Sequence, residues 1–189
     1  MWYKERHFTG KRFMAAIEQV ILVDEFDRPR GTAEKLQAHR EGLCHRAFSV
    51  FLYRKNHIIE ILIQQRANEK YHSPNLWTNT CCSHPRPGED TIAAAERRLF
   101  EELGVNIPLK TIGRFHYIAH FDNGLIENEV DHVMIGELTD GKIDPNPTEV
   151  QDTRWISIPD LQQELALHPE KFTPWLRSVL DIVAKQIAF

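Results

Sequence analysis

A chain of 189 residues, 42% hydrophobic and 26% charged, holds enough apolar material for one well-buried core and too little length for two. Its net charge of −4 argues against a nucleic-acid or anionic-surface partner, which would favour a basic face. No apolar run approaches the roughly 20 residues of a membrane span. Three cysteines, Cys44 and the neighbours Cys81 and Cys82, make no disulfide framework, so a reducing, cytoplasmic setting with free thiols is expected.

Residues 1–17 carry Lys4, Arg6, Lys11 and Arg12 without a continuous apolar segment, and they read as an N-terminal arm rather than a secretory signal. A single α/β domain is expected over residues 18–189, with no repeats or low-complexity linkers. Gln19 to Val23 reads as the first strand, and the Asp24 to Gly31 run as a turn. Thr32 to Ala38 is expected to be extended or turn-like. Ala47 to Tyr53 and Ile58 to Gln64 form a hairpin across Lys55-Asn56-His57.

Thr91 to Leu103 carries the strongest helical signal. Asp90 is a ready N-cap, Ile92, Ala95, Leu99 and Leu103 form one apolar stripe, and Gly104 ends it. A second hairpin joins Phe115–Phe121 to Leu125–Leu138 through Asp122-Asn123-Gly124. After a Pro145/Pro147 loop come a short strand, Thr153 to Ile156, and a helix near Leu161 to Leu167 that Ser157 and Asp160 cap. Thr173-Pro174 opens a C-terminal helix, with the proline at the first helical position.

Two short runs carry the chemistry. Cys82 and His84 stand two residues apart in Trp77-Thr78-Asn79-Thr80-Cys81-Cys82-Ser83-His84-Pro85, and so do Glu127 and Glu129 in Gly124-Leu125-Ile126-Glu127-Asn128-Glu129-Val130. In extended chain each pair shares a face. A thiol, an imidazole and two carboxylates on one pocket make a metal-dependent acid–base site. No spacing among the histidines gives His39 or His45 a role by itself; only a family pattern could add them, to make three imidazoles and two carboxylates, a donor set that suits Mn²⁺ or Zn²⁺. His7, His57, His72, His116, His120, His132 and His168 are read as surface or satisfied core residues. Cys44 and Cys81 are read as small buried hydrophobes. The metal-side position of Cys82 is expected to lower its thiol pKa below the ordinary value of about 8.5.

The helix contributes the segment Ser83-x5-Glu89-x7-Arg97-Arg98-Leu99-Phe100-Glu101-Glu102-Leu103-Gly104-Val105. This resembles the Nudix box, with Ser83 in place of its opening Gly and Arg98 in place of a Glu. Together with Lys35-x3-His39-x5-His45-Arg46-Ala47-Phe48-Ser49 and the two short runs, it resembles type I isopentenyl-diphosphate isomerase, a Nudix-fold family, from about Val23 to Trp175.

The resemblance implies a single-domain Nudix-like α/β/α sandwich with a mixed sheet, acting on a small isoprenoid diphosphate. It implies interconversion of isopentenyl and dimethylallyl diphosphate through a carbocation, with Cys82 and Glu129 as the acid–base pair and Tyr117 beside the glutamate. It places one metal at His39, His45, His84, Glu127 and Glu129. It also implies a Mg²⁺ at Glu102 that arrives with the diphosphate, a hard ion suited to oxygen ligands. Lys35, Arg66, Lys70 and Arg98 would meet the diphosphate, and Trp175 would face the cation through its ring. A Nudix hydrolase of nucleoside diphosphate derivatives is the first alternative, weakened by Arg98. A non-enzymatic zinc module is the second, weakened by the carboxylates.

Overall fold

The computed structural model describes residues 18–187, so the anticipated N-terminal arm lies outside the described residues. The chain first makes an antiparallel pair, β1 (Gln19–Val23) and β2 (Pro29–Glu34). The segment expected to continue extended to Ala38 instead turns into a helix, α1 (Lys35–Glu41). The Glu34 carboxylate accepts from the Leu36 and Gln37 amides at its start, and Gly42 closes it in the left-handed region at φ 63°. A helix of two turns is marginal alone. Burial of Ala38 and His39 stabilises this one.

Strand β3 (His45–Lys55) is the axis of the sheet, buried from Ala47 to Leu52 because both its faces are covered. At its far end it turns through Asn56-His57 into β4 (Ile59–Arg66). Two short strands follow, β5 (Trp77–Thr78) on β4 and β6 (Cys81–Ser83) on β3. Helix α2 runs over Thr91–Leu103 as the sequence predicts, with Asp90 capping Ile92 and Ala93 and Gly104 at φ 67° ending it. The second hairpin, β7 (Lys110–His120) and β8 (Ile126–Glu137), is longer than expected, and β8 lies parallel to β3. Strand β9 (Val150–Ser157) pairs with β4. Helix α3 (Ile158–Leu167) carries the Ser157–Asp160 cap. Helix α4 (Leu176–Ile187) starts two residues after Pro174, which sits in the preceding turn.

Alternation along β3 sorts its side chains. Phe48, Val50 and Leu52 face α2 with Ala95, Leu99 and Leu103, while Phe51 joins Val133, Ile61 and the apolar faces of α3 and α4. The result is a mixed sheet between α2 and the α3/α4 pair, the α/β/α sandwich the sequence implied. Leu99 is fully buried, so Leu99→Ala would cost about 2–5 kcal/mol.

Candidate active site

On the α3/α4 side the sheet changes character along its length. Phe51 and Val133 are apolar and covered. Towards the start of the two parallel strands the same faces carry His45, Ala47 and Ser49 on β3, and Glu127, Glu129 and Asp131 on β8. This half forms the floor and wall of a narrow pocket of about 50 Å³, whose side chains must part to admit a ligand. Strand β3 pairs with β6 on one side and β8 on the other. Cys82 and Glu129 therefore flank the two small side chains Ala47 and Ser49. Cys81 points the other way, into the α2 core, so the two cysteines divide as the alternation predicts.

The imidazoles converge on Glu129. Its Oε1 lies 2.9 Å from His84 Nε2, 3.3 Å from His45 Nε2 and 3.9 Å from His39 Nε2. Helix α1 supplies His39, whose Nδ1 donates to its own Lys35 carbonyl at 2.7 Å. His45 Nδ1 donates to the Leu43 carbonyl at 2.7 Å, in the link that Gly42 makes back to β3. Carbonyls accept only, so in the neutral rings the hydrogen sits on Nδ1 and Nε2 carries a bare lone pair. His45 Nε2 and His84 Nε2 are 3.2 Å apart. The Nε2 lone pairs of His39 and His45 face the Glu129 carboxylate, a repulsion that a cation between them would offset. His39, His45, His84 and Glu129 place one donor atom each within 4.8 Å of all the others. The set fits a divalent ion, with backbone carbonyls fixing the tautomers of His39 and His45.

Glu127 leans away from that group. Its Oε1 is 3.3 Å from His72 Nε2, and with His39 and His72 it forms a second group of donors. Tyr117 bridges the two glutamates, its hydroxyl 3.0 Å from Glu127 Oε2 and 2.7 Å from Glu129 Oε2.

Electrostatics follow from burial. Desolvation lowers His84 to about 3, against the pull of the Glu129 carboxylate. Burial and then the Arg66 charge lower His72 to about 2. Burial and neighbouring His45 also lower His39. Burial works to raise Glu129, but the imidazoles of His45 and His84 beside it hold it well below the usual range. Burial and then the Glu129 charge push Glu127 well up. Burial, followed by the glutamate charges, pushes the Tyr117 hydroxyl well up, so it stays a donor.

Cys82 departs from the expectation of a lowered pKa. Burial pushes its thiol up to about 12, outweighing Arg66, whose Nη1 is 3.8 Å from the sulfur, and more distant Lys70. The desolvation cost of a buried thiolate exceeds the attraction of one guanidinium. Cys82 is a protonated acid here, not a thiolate.

Three of the four cations in the pocket already have carboxylate partners. Arg98 donates to Glu102 at 2.6 Å and to Glu101 at 2.8 Å, and lies 3.3 Å from Glu149. Lys70 pairs with the other Glu149 oxygen, and Lys35 with Glu18 at 3.1 Å. Lys35, Lys70, Arg66 and Arg98 all line the pocket. Glu102 stands apart from both His/Glu groups. It is buried behind Arg98, and Gln64 Nε2 donates to its second oxygen at 3.0 Å.

Trp175 closes the far side and is both a core anchor and a pocket wall. Its Nε1 donates to Asn79 Oδ1 at 3.0 Å, while Asn79 Nδ2 donates to the Cys81 carbonyl at 2.7 Å. The Trp77-Thr78-Asn79-Thr80 run thus fixes Trp175 and the thiol strand against each other. The Arg66 guanidinium lies 5.7 Å from the indole centroid.

Two pocket residues escape the sequence reading. His72 reads there as a surface or core histidine, yet it is buried and faces Glu127. Nothing in its spacing points to the site, because its loop reaches the pocket only through the fold. Asp131 does carry a signal, being the next same-face residue after Glu127 and Glu129. It accepts from Ser49 Oγ at 2.7 Å, and burial and then Glu129 push its carboxyl well up.

Known proteins supply the family. The NUDIX domain model matches residues 44–176. The chain is 52% identical over 174 residues to an isopentenyl-diphosphate Delta-isomerase of Photobacterium profundum, covering 90% of this chain and 97% of the relative. It is 46% identical to the isopentenyl-diphosphate Delta-isomerase of Pectobacterium atrosepticum, over 85% of this chain and 88% of that one. Among solved structures, DR0079 from Deinococcus radiodurans superposes with a TM-score of 0.68 at 21% identity, over 87% of this chain and 98% of that one, which speaks for the fold alone. Fold and relatives agree, and the chain belongs to the NUDIX family and, within it, to the isopentenyl-diphosphate Delta-isomerases.

Proposed function

We propose that the protein interconverts isopentenyl and dimethylallyl diphosphate in isoprenoid biosynthesis by adding a proton to one carbon and removing one from another. The observation that carries this reading is the placement of Cys82 and Glu129 on strands either side of β3, across the small residues Ala47 and Ser49. A flat five-carbon chain lying on that floor has an acid–base group on each flank. Protonation of the terminal alkene carbon gives a tertiary cation, and loss of a proton from the carbon nearer the diphosphate restores a double bond. No electron leaves or enters, so no redox cofactor is needed.

In the resting pocket the thiol holds its proton and Glu129 is ionised, for the reasons of burial and neighbouring imidazoles above. The pair therefore carries one proton to give and one base to receive. Tyr117 orients both glutamates through its hydroxyl. Trp175 presents a π face that can stabilise the cation, and its burial excludes water that would trap it. Arg66 holds the diphosphate together with Arg98, Lys70 and Lys35, which exchange their present carboxylate partners for phosphate oxygens.

His39, His45, His84, Glu127 and Glu129 would hold a transition-metal ion of the Mn²⁺ or Zn²⁺ kind, and Glu102 a Mg²⁺ that arrives with the diphosphate. The first ion would fix the charge and orientation of the glutamates, and the second would neutralise the diphosphate. Free thiols suit a reducing compartment such as the cytoplasm, and no helix among the described residues is long and apolar enough to cross a membrane.

The test is formation of dimethylallyl diphosphate from isopentenyl diphosphate with added Mg²⁺ and Mn²⁺, with deuterium incorporation from heavy water. Metal-loaded Glu129→Gln is expected to bind diphosphate yet form no allylic product, and Cys82→Ala to lose deuterium incorporation at the alkene carbon. Release of inorganic phosphate or a nucleoside monophosphate, with no allylic product, would instead identify a hydrolase.

A further inference from the structure

We propose that His72 is a further ligand of the metal centre, so that four imidazoles and two carboxylates of this chain surround one ion. The inference rests on the reading of the His/Glu group as a metal site and extends it by a residue that the five-donor set omits.

The donors form two groups of side chains, not one. His39, His45, His84 and Glu129 make the first, and His39, His72 and Glu127 the second, each with its donor atoms within 4.8 Å of one another. His39 belongs to both. Its Nδ1 is committed to the Lys35 carbonyl, so it has a single lone pair, at Nε2, and can serve only one ion. Two ions that each take His39 as a ligand are therefore excluded, and one ion near His39 Nε2 would draw donors from both groups. Donors on opposite sides of an octahedral ion stand about 4.2 Å apart when each bond is about 2.1 Å. The spread within each group is near that size, and the six donors together lie wider apart, so binding of the ion would draw the two groups together.

His72 is placed for this role by more than proximity. It is 6% exposed, its Nε2 faces Glu127 Oε1 at 3.3 Å, and its ring stacks near that of His39 at a centroid distance of 6.0 Å. Aromatic neighbours hold the ring, with Tyr71 at 4.4 Å and Phe121 at 5.1 Å between centroids. Its Nδ1 is buried with no hydrogen-bond partner.

The consequence is functional. Six protein donors leave an octahedral ion no position for water or substrate, so the ion holds the Glu127 and Glu129 carboxylates in place and does not touch the alkene.

Co²⁺ is the probe, added to the full-length chain after metal removal and in the absence of diphosphate. Each ligating imidazole contributes one strongly shifted exchangeable N–H resonance to the proton NMR spectrum. Four are expected in the wild type and three in His72→Phe, which keeps the aromatic packing, and also in His72→Gln. The number of ions bound per chain should stay at one in all three proteins, with Co²⁺ affinity falling by about 10- to 100-fold in the variants. Three shifted resonances in the wild type, unchanged in both variants, would overturn the proposal and leave His72 as a hydrogen-bond partner of Glu127. Two ions per wild-type chain would also overturn it. If wild type binds no Co²⁺ at all, the metal reading of the whole group fails, an outcome distinct from the loss of His72 alone.

Discussion

The two ends of the pocket are built on opposite principles. At the His/Glu end the donors face one another without hydrogens to share: His39 and His45 have given theirs to backbone carbonyls, and Glu129 sits among three nitrogens. At the cationic end three cations already have carboxylates, Arg98 with Glu101, Glu102 and Glu149, Lys70 with Glu149, and Lys35 with Glu18. The first end collects donors that could hold an ion. The second is satisfied by itself and would trade partners to bind. Under the proposed function one end is a lasting site and the other an exchangeable one.

The largest expected effects come from the proposed acid–base pair, Glu129 at the first end and Cys82 across the pocket from it. Cys82→Ala and Glu129→Gln should each lower turnover by about 10²–10⁴-fold. Cys81→Ala, whose side chain faces the α2 core, should keep most of the activity. Equal losses in the two cysteine variants, with circular dichroism unchanged, would mean that the thiol faces are misassigned.

The pH behaviour of Cys82 sharpens the point. Because burial raises its pKa, the thiol stays protonated at neutral pH and yields thiolate only as pH climbs towards about 12. Its alkylation rate should therefore keep rising well beyond the ordinary thiol value of about 8.5. Peptide mapping of the modified residue after short pulses measures this, and a plateau near the ordinary value contradicts it.

Chelation separates the ends by stability. An ion present at about 100 times its dissociation constant adds about 2.7 kcal/mol, worth roughly 5–10 °C in Tm for a chain of this size. The shift on metal removal should be the same in Arg98→Met, because that residue belongs to the exchangeable end. A smaller shift in the variant would mean that the two ends are coupled.

The smallest effect tests the trade of partners. Glu149→Gln removes the shared countercharge of Lys70 and Arg98 and should tighten binding of inorganic pyrophosphate by up to about fivefold, the scale of a partly exposed ion pair. Added salt should shrink the difference. Weaker binding in calorimetry would show that Glu149 positions the cations instead of competing for them.

Much of this was written in local patterns. The α2 helix and its two caps, the hairpin turns and the facing of Cys82/His84 and Glu127/Glu129 follow from spacing and from residue types that act on their immediate neighbours. So does the separation of Cys81 from Cys82. The same patterns did not reveal α1, because a helix of seven residues has too little intrinsic stability to mark itself. Burial of His39 against the rest of the fold decides it. Nor did they reveal His72, which owes its place to loop closure between β4 and β5 and to rings contributed from elsewhere in the chain. The thiol pKa is the clearest case: sequence put a cysteine beside a metal-binding histidine, but desolvation depends on everything packed around the sulfur. Residue order determined which groups could meet on a face. Tertiary packing decided how dry that face is, and so which of those groups carry charge.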